Sequence, residues 1–366
     1  MSRRPRPLKI FVPSRGQYDN VGDIILRRQL LTWLRPLGTL HTYVGQAPAG
    51  YAEGLELAPQ DVRYASFAAW YRAALFAALT GRAVYAFKPG EIQLTMAGMK
   101  EHLSVLPLVA LCRLRGGRVV RVGSGSRNFA PLPRLLMAPS VAASQFTAWR
   151  DADTAAYIGR GSVMPDLAFG EGSPAEALER GTRDRLVVSL RSDRPMPADA
   201  WFAGLREYAD RAGLGITVIS QVTRDRQRSA EVAARLHAEL FDWDGTDPAA
   251  HEAALRRLYA RTLLVVSDRL HVLIAALTEG AAPSAAVRGG SEKIERHFAA
   301  AGFTGVSAAV EGLKAPAIAA LLEQAVQQRP ATLAALAAAR AELQEVREAM
   351  VEVVAGEQPA LAGATV

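Results

Sequence analysis

Short runs of β-branched and apolar residues alternate with longer stretches of helical spacing along most of the chain, the pattern of repeated βαβ units around parallel sheets. The pattern predicts strands over Leu8–Pro13, 38–44, Ala83–Phe87, 118–122 and 145–149, with helices between them. A second series starts after Gly181, with strands over 185–190, 215–220, Thr262–Ser267 and Ala282–Val287 and helices such as 198–212 and Pro248–Tyr259. Residues 170–184 combine Gly, Pro, Ser and charge and read as a linker. The expected fold is therefore α/β: two Rossmann-like domains, residues 1–172 and 182–314, facing each other across a cleft. An alanine-rich helical segment with a tail, residues 315–366, follows; Pro330 interrupts it and the end is expected to fray from Gly356 onward.

Length supports that division, because 366 residues exceed the ~250–300 at which a single core stops growing. Half of the residues are hydrophobic, a globular composition. The lone cysteine, Cys112, excludes an intrachain disulfide and a thiolate metal cluster, and fits a reducing, cytoplasmic setting. The start of the chain is basic and proline-rich and runs directly into a short strand, so no cleaved leader is expected. Apolar stretches around 67–87 and 102–112 are broken by Arg72 and Arg82 or are too short to cross a bilayer. The net charge of +7 concentrates at residues 3–9, at Arg27 and Arg28 and over 113–121, which suits an anionic ligand or an anionic membrane surface. Nucleic acid is not expected as a partner, since aromatic residues are only 7% and do not interleave with the basic ones.

Two strand-to-helix junctions carry candidate chemistry. In the first, the strand ending at Pro13 passes through Tyr18-Asp19-Asn20-Val21-Gly22-Asp23 into an aliphatic helix. That loop lies at the carboxyl edge of a parallel sheet, where free N–H groups and a helix dipole favour an anion or a hydroxyl. Capping by Asp19 or Asn20 is the plainer role of such a loop. In the second, Val265-Val266 runs into Ser267-Asp268-Arg269-Leu270-His271 and an apolar helix. Arginine binds carboxylate or phosphate bidentately, and histidine moves a proton near neutral pH. Arg191 ends another strand at the same edge, and Lys293 follows the next strand. Gly123-Ser124-Gly125-Ser126-Arg127 is a further candidate anion cradle, without a complete phosphate-loop or dinucleotide fingerprint. Asp151-Ala152-Asp153 and Asp242-Trp243-Asp244 read as caps and turns. The histidines at 41, 102, 237, 251 and 297 show no metal-ligand spacing, so no metal or other cofactor is expected.

The Asn-x-Gly-Asp string before an aliphatic helix, and above all Arg269-Leu270-His271 before a helix ending in Gly, resemble the signatures of the polysaccharide pyruvyl transferases. The resemblance implies a GT-B-like fold with an acceptor-side first domain and a donor-side second one. It implies an enzyme that moves pyruvate from phosphoenolpyruvate onto a glycan as a cyclic ketal, in exopolysaccharide or cell-wall polymer biosynthesis. By the same resemblance His271 and Asp23 are catalytic, Arg191, Arg269, Lys293, Asn20 and Gly22 bind substrate, and the acceptor is a glycan or lipid-linked oligosaccharide. Trp149-Arg150-Asp151 and Pro165-Asp166-Leu167 resemble a family stretch read as architectural. One departure is Lys88-Pro89-Gly90-Glu91, where the family tends to have consecutive glycines. A lipid-linked acceptor adds peripheral attachment to the inner membrane surface through the basic N-terminus and Arg27-Arg28. The rival readings are a GT-B glycosyltransferase using a nucleotide sugar and a non-catalytic glycan- or phosphate-binding relative.

Overall fold

The computed structural model of the chain describes residues 8–356, apart from Arg82 and Gly290. The basic residues Arg3, Arg4 and Arg6 and the tail after Gly356 lie outside the described residues. Strands β1 (Leu8–Pro13), β2 (Gly38–Tyr43), β3 (Val62–Tyr64), β4 (Ala83–Phe87), β5 (Gly90–Ile92), β6 (Arg118–Ser126), β7 (Phe146–Trp149) and β8 (Ser162–Val163) form one parallel sheet. Its order is β3-β2-β1-β4-β6-β7-β8, with β5 paired to the far end of β6. Strands β9 (Arg185–Ser189), β10 (Gly215–Ile219), β11 (Glu239–Phe241), β12 (Thr262–Ser267), β13 (Ala282–Val287) and β14 (Ser307–Ala309) form a second parallel sheet in the order β11-β10-β9-β12-β13-β14.

The helices of the first half are α1 (Val21–Leu34), α2 (Tyr51–Gly54), α3 (Phe67–Leu79), α4 (Met96–Leu114), α5 (Pro131–Ala143) and α6 (Ala152–Ile158). Those of the second are α7 (Asp199–Ala212), α8 (Arg226–Leu236), α9 (Pro248–Tyr259), α10 (Leu270–Leu277), α11 (Glu292–Ala299), α12 (Ala315–Gln327) and α13 (Arg329–Ala355). The predicted break at Pro330 falls in the first turn of α13, where proline's missing N–H costs nothing. Helix α12 lies on α7 and the second sheet, whereas α13 returns to the first. There Arg340 donates to the carbonyls of Phe169 and Ser173 at 3.0 and 2.9 Å, and Arg118 to that of Val353 at 3.0 Å.

Both sheets are doubly wound, the fold expected from the alternating pattern. The order of connection reverses between β1 and β4 in one sheet and between β9 and β12 in the other. Ligands of such sheets bind beyond the carboxyl ends of the strands flanking that reversal. One hydrophobic core unites the halves: Ile10 and Val12 of β1, α1, Val187 of β9, Val265 of β12, α10 and Leu336 of α13 belong to the same cluster.

Sequence pattern and structure differ at one long strand. β6 runs past the predicted end at residue 122 to Ser126, because β5 pairs with it, Gly90 opposite Ser124 and Ile92 opposite Ser126. The Gly123–Arg127 segment is thus mostly strand, not the anion-cradling turn anticipated. Gly125 is required for another reason: a Cβ there would lie 2.5 Å from Asp151 Oδ2 and 3.0 Å from Arg150 Nε.

Candidate active site at the two reversal points

The first junction leaves β1 and enters α1 through Asn20, which caps the helix. Its Oδ1 accepts from Gly22 N–H at 3.1 Å, while its Nδ2 donates to Gln17 Oε1 at 3.1 Å. The same loop docks onto the other half. Asn20 forms a backbone bridge with Val222, Thr223 N–H donates to the Asp19 carbonyl at 3.2 Å, and Arg224 donates to Gln17 Oε1 at 2.6 Å. Asn20 therefore acts as cap and interdomain clasp.

The second junction is fixed by short polar links. Ser267 Oγ donates to the Ser189 carbonyl at 2.7 Å and accepts from Arg269 N–H at 3.0 Å. Asp268 Oδ1 accepts from Arg191 N–H at 2.8 Å, tying the ends of β9 and β12 together. Helix α10 then enters the core with every residue buried except His271.

These two junctions meet. A Cβ on Gly22 would lie 2.5 Å from His271 Cβ and 2.8 Å from Nδ1, so the helix start of one half packs directly on the imidazole of the other. His271 Nε2 faces Asp166 Oδ2 at 3.5 Å. Asp166 is fully buried; it also accepts from Arg150 Nη1 at 3.0 Å and caps a short turn through Ala168 N–H at 3.0 Å. Burial opposes its charge, but His271 and Arg150 outweigh burial and hold the carboxyl well below the usual range. His297 of α11 is buried beside this group with neither ring nitrogen hydrogen-bonded. Burial, reinforced by Arg150, pushes it well below the ordinary imidazole value, so it stays neutral. Asp166, Arg150 and His297 were not among the residues singled out as functional. Asp166 and Arg150 looked architectural because capping and ligand-binding aspartates share one local sequence. Arg150 follows the end of β7, the same signal that picked out Arg191 and Arg269.

Asp23 lies in the first turn of α1. Its Oδ2 pairs with Arg27 at 3.2 Å and accepts from Gln17 N–H at 3.3 Å. Burial raises its pKa, yet Arg27 and His271 lower it further, leaving a carboxylate of reduced basicity. Arg269 donates through Nε to Asp225, itself buried and bonded to Ser192 N–H at 2.9 Å. The Arg191 guanidinium is held by the exposed Asp193 at 2.8 and 2.6 Å. Lys293 crosses to the first half and pairs with Glu91 at 2.7 Å; burial, Arg150 and Arg191 lower its pKa. Lys88, the departure in the glycine stretch, turns to Glu101 at 2.6 Å. Behind it a cavity of about 230 Å³ is lined by Gly90, Glu91, His102, Arg121 and Ser124 among others.

One expectation needs adjustment and another holds. Arg27 and Arg28 are each only 6% exposed, and both are bound to carboxylates inside the protein, so they do not form a membrane-facing patch. The Asp-x-Asp strings behave as expected: Asp151 caps α6 through Thr154 N–H at 2.8 Å, and Asp244 accepts from Thr246 N–H at 2.8 Å.

Comparison with sequence profiles of known families matches polysaccharide pyruvyl transferase over residues 20–281, a span that contains both junctions. The chain belongs to this family. No curated protein matches this pyruvyl transferase family member in sequence. Solved structures share its fold at low identity. They include the MnaA protein of S. aureus with UDP (12% identical, 97% of this chain and 100% of that chain, TM-score 0.56). A glycosyltransferase from Rickettsia africae (9%, 96% and 99%, TM-score 0.56) and an Anabaena protein in complex with UDP-glucose (11%, 95% and 100%, TM-score 0.55) are similar too. The pyruvyl transferase fold here is thus of the GT-B kind: two Rossmann-like domains with the site between them.

Proposed function

We propose that the chain transfers pyruvate from phosphoenolpyruvate to a glycan as a cyclic ketal, in exopolysaccharide or cell-wall polymer synthesis on the cytoplasmic side of the membrane. The carrying observation is the meeting of Gly22, His271 and Asp166 from three separate segments, with Arg150, Arg269 and Lys293 around them. Ketal formation protonates C3 of phosphoenolpyruvate and adds one sugar hydroxyl at C2. The C2–O bond then breaks to release phosphate, and a second hydroxyl closes the ring at C2. The two hydroxyl protons balance the one gained at C3 and the one carried away on phosphate.

In this reading His271 is the general acid and base. Asp166 turns Nε2 away, so the proton moves at Nδ1, the nitrogen left open by the missing side chain of Gly22. The paired, weakly basic Asp23 orients an acceptor hydroxyl through its free Oδ1. Arg269, Arg191 and Lys293 bind the carboxylate and phosphate of the donor, an incoming anion displacing Asp193 and Glu91 from the last two. The acceptor is a glycan or lipid-linked oligosaccharide.

The test is phosphate release from phosphoenolpyruvate by the full chain, with precursor glycans as acceptor. His271→Ala is expected to lower it by about 100- to 10,000-fold while the melting temperature holds. Undiminished release would remove His271 from the chemistry. The fold shared with proteins solved with UDP or UDP-glucose favours one second reading, a nucleotide-sugar glycosyltransferase. Thermal stabilisation by UDP-sugars but not by phosphoenolpyruvate would select it.

A further inference from the structure

Helices α3, α4 and α5 pack side by side over one face of the first sheet, and their packing is inverted in size. Toward the sheet α3 presents Ala74, Ala77 and Ala78 beside Trp70, while outward it presents Phe76 and Leu79, 69% and 50% exposed. Helix α4 buries Val105, Leu108 and Val109, yet leaves Leu103 and Leu114 in solvent, Leu114 at 83%. Leu132 and Leu135 of α5 are more than half exposed. Of the eleven large apolar residues exposed among the described residues, eight lie on these three helices. A helix apolar on both sides needs a second apolar neighbour, and contiguous apolar surface of this kind marks an interaction site.

The charge around this face identifies the neighbour. Residues 65–145 hold ten Lys or Arg against two Asp or Glu, a surplus of eight in a chain whose total is +7. Arg121 is buried and Arg118 half-buried, but Arg72, Lys100, Arg113, Arg115 and Arg134 are exposed on or beside the three helices. Glu101, the one acid on them, is already paired with Lys88. The ends of α3 and α4 are tied together, Arg115 Nε donating to the Leu79 carbonyl at 3.1 Å, so Phe76, Leu79 and Leu114 form one apolar knob flanked by Arg113 and Arg115. Apolar side chains ringed by cations suit an interface with anionic lipid: the rings and leucines enter the acyl boundary while the guanidinia meet headgroup phosphates. No described helix is long and apolar enough to cross a membrane.

We propose that the outer face of α3–α5 is a membrane-docking surface for an anionic bilayer. Helices α4 and α5 begin at the carboxyl edge of the sheet, beside Glu91 and the cleft, and the apolar knob lies at the far end of α3 and α4, so the docking face runs from the cleft to the opposite edge of the sheet. The inference deepens the reading of a lipid-linked acceptor but stands on surface chemistry alone.

The test is co-sedimentation of the full chain with vesicles of phosphatidylcholine containing phosphatidylglycerol, against pure phosphatidylcholine. Binding to the anionic vesicles, weakened by 1 M salt, is expected. Replacing Phe76, Leu79 and Leu114 together by Ser should reduce it about tenfold or more. Arg113→Glu with Arg134→Glu, which leaves Phe76, Leu79 and Leu114 in place, should reduce it on anionic vesicles alone. Wild-type protein that stays in the supernatant, or both variants sedimenting like wild type, overturns the proposal. So does a wild-type dimer that the triple variant converts to monomer, since a second copy would then cover this face. Phosphate release with a soluble acceptor should be unchanged in every variant. That assay fails with the ketal-transfer reading and the vesicle assay with this one.

Discussion

Two clusters of buried charge join the halves of the molecule, and they differ in how fully their polar atoms are matched. Behind the cleft, Arg28 of α1 donates to both oxygens of Glu252 at 2.8 and 2.6 Å and to Glu171 at 2.7 Å. Arg256 adds Glu252 and Glu279 at 2.8 Å each, and Ser173 donates to Glu279 at 2.5 Å. Among the described residues, no buried atom of these side chains lacks a partner. In front, around His271 and Asp166, the Nε atoms of Arg150, Arg27 and Arg296, Nε2 of His271 and both nitrogens of His297 have none. Native proteins satisfy nearly all buried polar groups; ten further unpaired atoms are spread over the described residues, whereas six meet in this one cluster. The rear cluster is saturated and the front cluster is not, the difference expected between a structural joint and the proposed substrate site. Charge density alone would not have told them apart.

The contrast is broken most sharply by Asp166→Asn. The amide keeps the shape but removes the charge that faces His271 and neutralises Arg150, so turnover should fall about 100- to 10,000-fold. A full rate would mean that the imidazole needs no carboxylate. In the rear, Glu252→Gln should leave the rate per folded molecule near wild type and instead cost about 1–3 kcal/mol of stability, because it removes one of the two carboxylates that Arg28 and Arg256 share, Glu171 remaining. Urea melts report the loss, and an equal fall in turnover would erase the distinction.

Acid separates the clusters more gently. In the rear one mutual pairing outweighs burial, raising the pKa of Arg28 and Arg256 and lowering that of Glu252, whereas His297 of the front one is neutral when folded and takes up a proton when unfolded. A folded pKa held below the unfolded one gives stability that is complete above about pH 6.5 and is lost as the pH falls. His102, pushed down to about 3 by burial, adds in the same direction. Melts of His297→Gln at pH 7 and 5 should show a smaller acid loss than wild type; an unchanged loss would assign it elsewhere.

The sequence carried most of the fold because its long strands are continuous apolar runs. The predicted limits of β1, β4, β12 and β13 match residue for residue. Strands β3, β5, β8, β11 and β14 have two or three residues, too few to display a period, and only the neighbouring strand creates them. The site was legible in halves. Glycine, aspartate, arginine and histidine at strand ends were visible in Gly22, Asp23, Arg269 and His271. Asp166 was not, since its capping of Ala168 N–H accounts for it locally and its proximity to His271 arises only when α10 packs against the turn at Leu167–Gly170. Likewise nothing in the pair Arg27-Arg28 announces that Arg28 faces inward; that follows from Glu171 and Glu252, more than a hundred residues away, while Arg27 turns to Asp23 within its own helix.

The finest test concerns Gly22, which lies on the front cluster but bears no functional group. Its backbone is not in the left-handed region, so alanine is conformationally acceptable and would favour the helix. What alanine cannot avoid is the imidazole: the added methyl would sit 2.5 Å from His271 Cβ and 2.8 Å from Nδ1. Backbone on one side and the buried Asp166 on the other leave the ring to rotate or shift. A misplacement of about 1 Å at a reacting group costs up to ~100-fold. Gly22→Ala should therefore lower turnover about 10- to 100-fold in the folded enzyme, beyond a stability loss of about 1–3 kcal/mol from crowding His271 Cβ. A looser contact beside the rear cluster, Gly54 against Ile24 Cγ2 at 3.2 Å, supplies the control. Gly54→Ala should move stability and not rate, because the atom it presses is apolar packing, whereas Gly22→Ala also presses His271 Nδ1, the atom proposed to move the proton.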